Sequence, residues 1–529
     1  MKQNIRVKPE KDKLLYILQD IRKGDINIPE FQRDVVWTEK QMLKLLDSIK
    51  KGYSLGSLLF WKPEIDFECK KTFGPYIIPS KAEKKYVLDG YQRLSTLFGV
   101  LSSPIDFNKE YTYNSIGEHA IFYDLENDDF EYHKRGQSIP ELYVPVYLLA
   151  DTFATLSYLD RLRTLITDEN LQQKYINKVK NLAKSFVDYE IPYVDIIGGD
   201  IEDAVEIFSR VNSTGTSLSK DWMISALSYQ KGEFLLSREI DDYLITLEKY
   251  NFSDLDRNVI LNCIAATTGK YFSDVKLEEL LKENSFDFPQ VVSKSFTTIT
   301  KAIEFLFKEL NVIDYKLLPY SNQLVYLSEF FRIAQNPKSL FPKLKEWFWV
   351  TSYSNYFTIY NSLSKQRKAL IQFKNFALGR INTPVYVDTD QNFITNPFPE
   401  KVNFGSVRSK SLLLFMLNKS AQNTEIINRP LDVRYLTRRE RITSGVLIND
   451  YNIFEKHNGI KSNSQDASFI LDENLNENQM TNWFLSNELI DVYKNDNIND
   501  FLEFRRLLIQ QEEKIFVENL KIIYTEEKE

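Results

Sequence analysis

Apolar residues recur at helical spacing through the first fifty positions. Leu14, Leu15, Leu18 and Ile21 share one helix face, Gly24 ends that helix, and residues 26–29 run extended up to Pro29. Thr38 is a good N-cap for a second helix, and Gln41 three residues on completes the pattern of a capping box. The helical period then runs from Trp37 to Ile49, and Gly52 closes it. The pattern next changes character. Ser57-Leu-Leu-Phe-Trp61 and Tyr86-Val-Leu88 are short apolar runs of strand type, and the second leads through Asp89 and Gly90 into the helical stretch 94–101. A strand, tight turn and helix in succession point the helix's first N–H groups and positive dipole end at the turn, where an anion can sit.

Residues 120–132 alternate about the turn-forming Glu126-Asn-Asp-Asp129, which predicts a β-hairpin beside the same sheet. Residues 150–190 have a helical pattern, 191–196 read as a strand, and 201–211 as an amphipathic helix that stops at Asn212-Ser-Thr-Gly-Thr-Ser-Leu-Ser219. Ser217 or Ser219 can cap the helix that follows. From 222 to 375 the pattern is helical almost throughout and rich in Leu, Phe and Tyr, and the polar run from 379 to 399 reads as a boundary. The expected organisation is an α/β domain over 1–235, a helical scaffold over 236–380 and a mostly helical domain over 381–529. The expected fold class is therefore α+β.

Composition narrows the function classes. The 529 residues are 43% hydrophobic and 27% charged, ordinary globular material for roughly two to four domains. No stretch approaches the roughly 20 apolar residues of a membrane-spanning helix. The first seven residues lack an apolar signal-peptide core, so no membrane partner and a cytoplasmic location are expected. Cys69 and Cys263 stand far apart, and His119, His133 and His457 are too dispersed for a metal centre, so no metal-ligand cluster is assigned. A formal net charge of -7 argues against a uniformly basic nucleic-acid coat, leaving room for a local patch.

Three segments share a polar logic: Ile28-Pro-Glu-Phe-Gln-Arg33, Asp89-Gly-Tyr-Gln-Arg93 with Ser95 and Thr96, and Phe208-Ser-Arg-Val-Asn-Ser-Thr-Gly-Thr-Ser-Leu-Ser219. A triphosphate needs guanidinium donors, backbone N–H groups at a helix start and a turn small enough to let it approach. Arg33, Arg93, Gly90, Ser95 and Thr96 supply those types. Asp89 can orient Arg93, hold a metal through its water shell or position an attacking water, and Gln92 can align that water or contact the base; the residues alone leave these open. The segment Asp89-Gly-Tyr-Gln-Arg93 also fits a plain turn in which Arg93 pairs with Asp89 across one helical turn.

Together with Trp37, Asp47-Ser-Ile49 and Gly52, these segments resemble, in order and spacing over about residues 10–230, the GmrSD N-terminal-type family. That resemblance implies a ParB/sulfiredoxin-like α/β core with a signature Asp-Gly-Gln-Gln-Arg, as in type IV restriction enzymes and SspE-like phage-defence proteins. It puts the signature's Asp, Gly, second Gln and Arg on Asp89, Gly90, Gln92 and Arg93, with nucleoside triphosphate, Mg2+ and DNA as the implied cofactors and partner. Asp89, Gln92 and Arg93 are then the catalytic candidates of a nucleoside triphosphatase. Gln32, Arg33, Gly90, Ser95, Thr96, Asn212 and Gly215 are the nucleotide-binding candidates. Tyr91 replaces the signature's first Gln.

Many members of the family continue into an HNH-type nuclease, whose chemistry needs one His as base and others as ligands. After residue 134 this chain has His457 alone, with Asn458 and Asn474 as the nearest echoes of that motif. A degenerate HNH-type region over 381–529, and a solvated-loop histidine, are the expectation over an active nuclease. Residues 401–441 carry nine basic against three acidic residues, which makes Arg434, Arg438, Arg439 and Arg441 candidates for nucleic-acid phosphates. A solvated helical face balanced by acidic neighbours elsewhere accounts for the same run equally well. The functional expectation is an anti-phage, restriction-like protein that binds and hydrolyses a nucleoside triphosphate coupled to DNA recognition or cleavage. The alternative is a non-catalytic DNA-binding or regulatory subunit whose nuclease lies in a partner chain; a homo-oligomer is open as well.

Overall fold

The computed structural model describes residues 5–32, 35, 37–64, 67–102, 119–134, 139–201, 203–204, 207, 234–268, 288–386, 393–420, 431–437, 441–448, 467–472 and 474–526. The chain divides into two compact units, residues 1–237 and 238–529. The class is α+β, with a mixed sheet in the first unit and mostly helices in the second.

The first unit is built on a five-stranded sheet in the order β1-β10-β3-β6-β2, from β1 (Arg6–Lys13), β2 (Ile26–Asn27), β3 (Leu58–Lys62), β6 (Lys85–Asp89) and β10 (Glu190–Ile197). β10 pairs antiparallel with β1 and parallel with β3; β6 pairs antiparallel with β3, opposite Phe60 through Val87, and parallel with β2. A central strand covered on both faces must be apolar at consecutive positions rather than alternating. β3 meets that requirement, with Leu58, Leu59, Phe60 and Trp61 all buried. Leu58, Phe60 and Val87 turn into a large core with α1 (Leu14–Lys23), α2 (Glu39–Lys50), α3 (Tyr91–Leu101) and α5 (Glu169–Val187). Leu59, Trp61, Tyr86 and Leu88 turn to the opposite face, where Phe31 and Ile196 complete a smaller core.

Local signals set the ends of these elements. Gly24 ends α1 in the left-handed region at φ 77°, and its N–H returns to Ile21 O. At the start of α2 the Gln41 side chain accepts from the Thr38 N–H at 2.9 Å, the contact that the capping pattern predicts. The hairpin formed by β7 (His119–Asp124) and β8 (Asp129–Lys134) also agrees with the sequence. Its turn is organised by the Asp124 carboxylate, which accepts from the Glu126 and Asn127 N–H groups, and Lys178 docks it on α5 by donating to Leu125 O at 2.8 Å. β9 (Tyr143–Pro145) joins this sheet, and α4 (Thr152–Leu165) and α5 follow before β10 returns the chain to the main sheet.

In the second unit long helices pack through aromatic cores, such as Tyr326, Trp347, Phe357 and Phe373. Three buried polar centres pin them. Glu329 receives Arg332 in a bidentate pair, at 2.6 and 2.7 Å, and Lys374 at 2.6 Å. Glu513, fully buried, receives both terminal nitrogens of Arg408 at 2.6 and 2.7 Å together with the hydroxyls of Tyr353 and Tyr524. Arg505, equally buried, donates to the carbonyls of Ser444, Val446 and Trp483. Burial pulls its pKa down to about 9, which leaves it protonated at neutral pH. Helices Val407–Ser420 and Ile498–Asn519 are bonded to helix Pro337–Tyr353, because Ser411 and Glu513 both reach residues of that helix. No described helix is long and apolar enough to cross a membrane.

Candidate functional site

The strand, turn and helix predicted around Asp89 are present. β6 ends at Asp89, Gly90 lies at φ 92°, and α3 begins at Tyr91, with the Leu94 N–H returning to Gly90 O at 2.9 Å. Glycine is required here for two reasons. The left-handed backbone is costly for other residues, and a Cβ would lie 2.3 Å from Leu58 Cδ2 on the neighbouring strand. The turn therefore leaves no room for a side chain beside Leu58.

Gln32, from the Ile-Pro-Glu-Phe-Gln-Arg segment, is buried, and its Nε2 donates to Leu88 O at 3.1 Å. That bond ties the first polar segment to the strand residue immediately before Asp89, 56 residues away. Arg33, Asn212 and Gly215 lie outside the described residues, as do Arg438, Arg439 and His457 and most of the expected helix 201–211.

Arg93 holds Asp89 across one turn, with Nη2 3.0 Å from Asp89 Oδ2, and the two side chains are 17% and 36% exposed. Nη2 also donates to Ser57 O at 3.0 Å, and Nη1 donates to Leu55 O. The local pairing that residue types alone left open is thus formed, and it extends to a backbone segment that sequence reasoning passed over. That segment is the loop between α2 and β3, where Gly56 has φ 80° and Tyr189 Oη donates to Tyr53 O at 2.5 Å. Burial raises the Tyr189 pKa, against the opposing pull of the Leu55 backbone and the Arg93 charge. The available signal was the Gly52 to Gly56 spacing immediately before a strand.

Thr96 and Ser95 are 4% and 3% exposed. Thr96 Oγ1 donates within α3 to Gln92 O at 2.9 Å, and Ser95 Oγ is buried with no hydrogen-bond partner among the described residues. α3 lies close against the turn between β4 (Thr72–Phe73) and β5 (Tyr76–Ile77), since a Cβ on Gly74 would approach Ser95 O to 2.9 Å. Tyr91 is buried with its ring edge-on to Phe73 at 5.9 Å, so the residue that departs from the signature serves the core. Gln92 is half-buried on the first turn of α3.

The described members of the basic run of 401–441 turn to different partners. Arg408 is buried against Glu513, Lys410 donates to Leu318 O, Lys419 pairs with Glu512 at 2.8 Å, and Arg434 pairs with Asp432 at 3.0 Å. Lys401 and Arg441 remain exposed. Among the described residues no group of three or more His, Cys, Asp or Glu side chains could hold a metal ion.

Two comparisons with known proteins bear on this site. An uncharacterized protein of Methanocaldococcus jannaschii is 24% identical over 397 residues, which is 68% of this chain and 66% of the relative, so the chain spans about two thirds of that protein's length. Residues 14–229 match the family described as the GmrSD restriction endonuclease, N-terminal domain. That match begins with α1 and takes in the whole Gln32, Asp89 and Arg93 neighbourhood. The N-terminal unit of this chain thus carries a match to the GmrSD N-terminal domain that spans its ordered motifs and its glycine-opened strand-to-helix turn.

Proposed function

We propose that the N-terminal unit is the nucleotide-dependent module of a restriction-type defence protein. It binds a nucleoside triphosphate with Mg2+ where β6 gives way to α3, hydrolyses it, and couples that step to recognition or cleavage of foreign DNA. The observation that carries this reading is the convergence at one strand end of Asp89, the left-handed Gly90, the start of α3 and Gln32 from a second motif. A helix start behind a turn that no side chain can enter suits a phosphate. Asp89, a partly exposed carboxylate at that turn, suits the water shell of a Mg2+ ion or an attacking water.

The decisive measurement is a panel of ATP, GTP, CTP and UTP, each with Mg2+, scored for binding and phosphate release with and without modified DNA. Wild-type protein should bind at least one of the four. Asp89→Ala should lower kcat by about tenfold or more, the scale of losing one interaction to a charged group. Failure of the wild-type chain to bind any of them at millimolar concentration overturns the reading.

The engagement of Arg93 with this chain's own acceptors favours a second reading, in which the unit senses the nucleotide or a DNA phosphate without turnover and serves a nuclease in a partner chain. Binding without phosphate release selects it, whereas sustained turnover abolished by Asp89→Ala removes it.

A further inference from the structure

Both terminal nitrogens of the Arg93 guanidinium are directed at acceptors of this chain: Asp89 Oδ2, Ser57 O and Leu55 O. The two carbonyls belong to the loop between α2 and β3. That loop is held from its other end by Tyr189, whose hydroxyl donates to Tyr53 O, and internally by the Gly56 N–H bond to Ser54 Oγ at 3.2 Å. β3 pairs with both β6 and β10, so the loop stands at the edge of the Asp89 turn. Gly56 lies between the two accepting carbonyls. A Cβ there would lie 3.0 Å from Arg93 Nη1, on a backbone at φ 80°.

We infer that Arg93 is a positioning residue: it holds the backbone of residues 55–57 as one wall beside the start of α3, and nucleotide affinity depends on where that wall stands. This rests on the nucleotide reading proposed above. The two possible roles of Arg93 differ in what they ask of the side chain. A direct phosphate ligand keeps part of its binding as lysine, whose ammonium still serves phosphate as a point charge. A positioning guanidinium works through its planar fork, which bridges two carbonyls and a carboxylate as a single ammonium cannot. Gly56→Ala probes the second role, because it keeps the Arg93 and Asp89 side chains and disturbs the loop where it meets the guanidinium.

Calorimetric titration of the full chain with ATP, GTP, CTP and UTP, each with Mg2+, tests this for wild type, Arg93→Ala, Arg93→Lys and Gly56→Ala. Each titration is run well below the thermal midpoint of its protein. Gly56→Ala and Arg93→Lys should both weaken the best nucleotide by about tenfold, close to the loss in Arg93→Ala. Wild-type affinity in Gly56→Ala, or affinity retained in Arg93→Lys and lost in Arg93→Ala, overturns the inference and makes Arg93 a direct ligand. Lowered midpoints with unchanged Kd in all three variants also overturn it, since they reduce Arg93 to a stabilising contact. No binding by wild-type protein overturns the nucleotide reading, and this inference with it.

Discussion

At the scale of single residues, buried charges show how far burial and pairing compete. The Glu329 carboxyl is pushed up by burial, but the hydrogen bonds from Arg332 and Lys374 outweigh that and hold its pKa below the ordinary glutamate value. A carboxylate with a depressed folded-state pKa stabilises the fold fully above its unfolded value, and that contribution is lost as the pH falls through the folded value. Thermal denaturation of wild type and Glu329→Gln should therefore differ most at neutral pH. The gap should close on acidification below about pH 4.3, the unperturbed glutamate value. A gap that is constant from neutral to acid pH contradicts the assignment. Arg505 illustrates the other solution, a buried cation satisfied by carbonyls alone, in which four donor contacts offset the loss of water.

At the scale of elements, caps and turns act at positions that the chain marks locally. α5 opens at Asp168, whose carboxylate accepts from the Leu171 N–H at 2.9 Å, and α4 opens in the same manner at Asp151. Asp168→Ala should cost about 1 kcal/mol, read from a urea unfolding curve whose midpoint shifts without a change of slope. No shift would mean that tertiary packing of Tyr175, Val179 and Leu182 alone holds the helix. The Asp124 turn and the Thr38 start of α2 belong to the same class, and all of them are readable within a window of a few residues.

At the scale of the whole molecule, each unit has its own core: the two faces of the sheet in one, and the helices pinned at Glu329, Glu513 and Arg505 in the other. Two cores in one chain favour separable unfolding. Differential scanning calorimetry should resolve two transitions. Gly90→Ala, which places a Cβ against Leu58, should lower one of them. Arg408→Ala, which leaves Glu513 without its guanidinium, should lower the other by about 3–5 kcal/mol, the usual cost of breaking a buried pair. A single transition moved by both substitutions would show one cooperative body.

The sequence by itself determined the parts that depend on short-range physics. Helix and strand periods, the Thr38 start of α2, the hairpin turn and the glycine between β6 and α3 are set by neighbours within about one turn, and ordered motifs carried the resemblance that residues 14–229 match. Only the tertiary structure decided which elements became neighbours: β10 inserted between β1 and β3, Gln32 on Leu88 O, and Arg408 on a carboxylate 105 residues away. It also decided what Arg93 grips, because the partners are backbone carbonyls, which every residue carries and no residue type announces. Tyr91 took its place in the core for the same reason: burial is settled by what packs on a position, and Phe73 lies outside any local window around it.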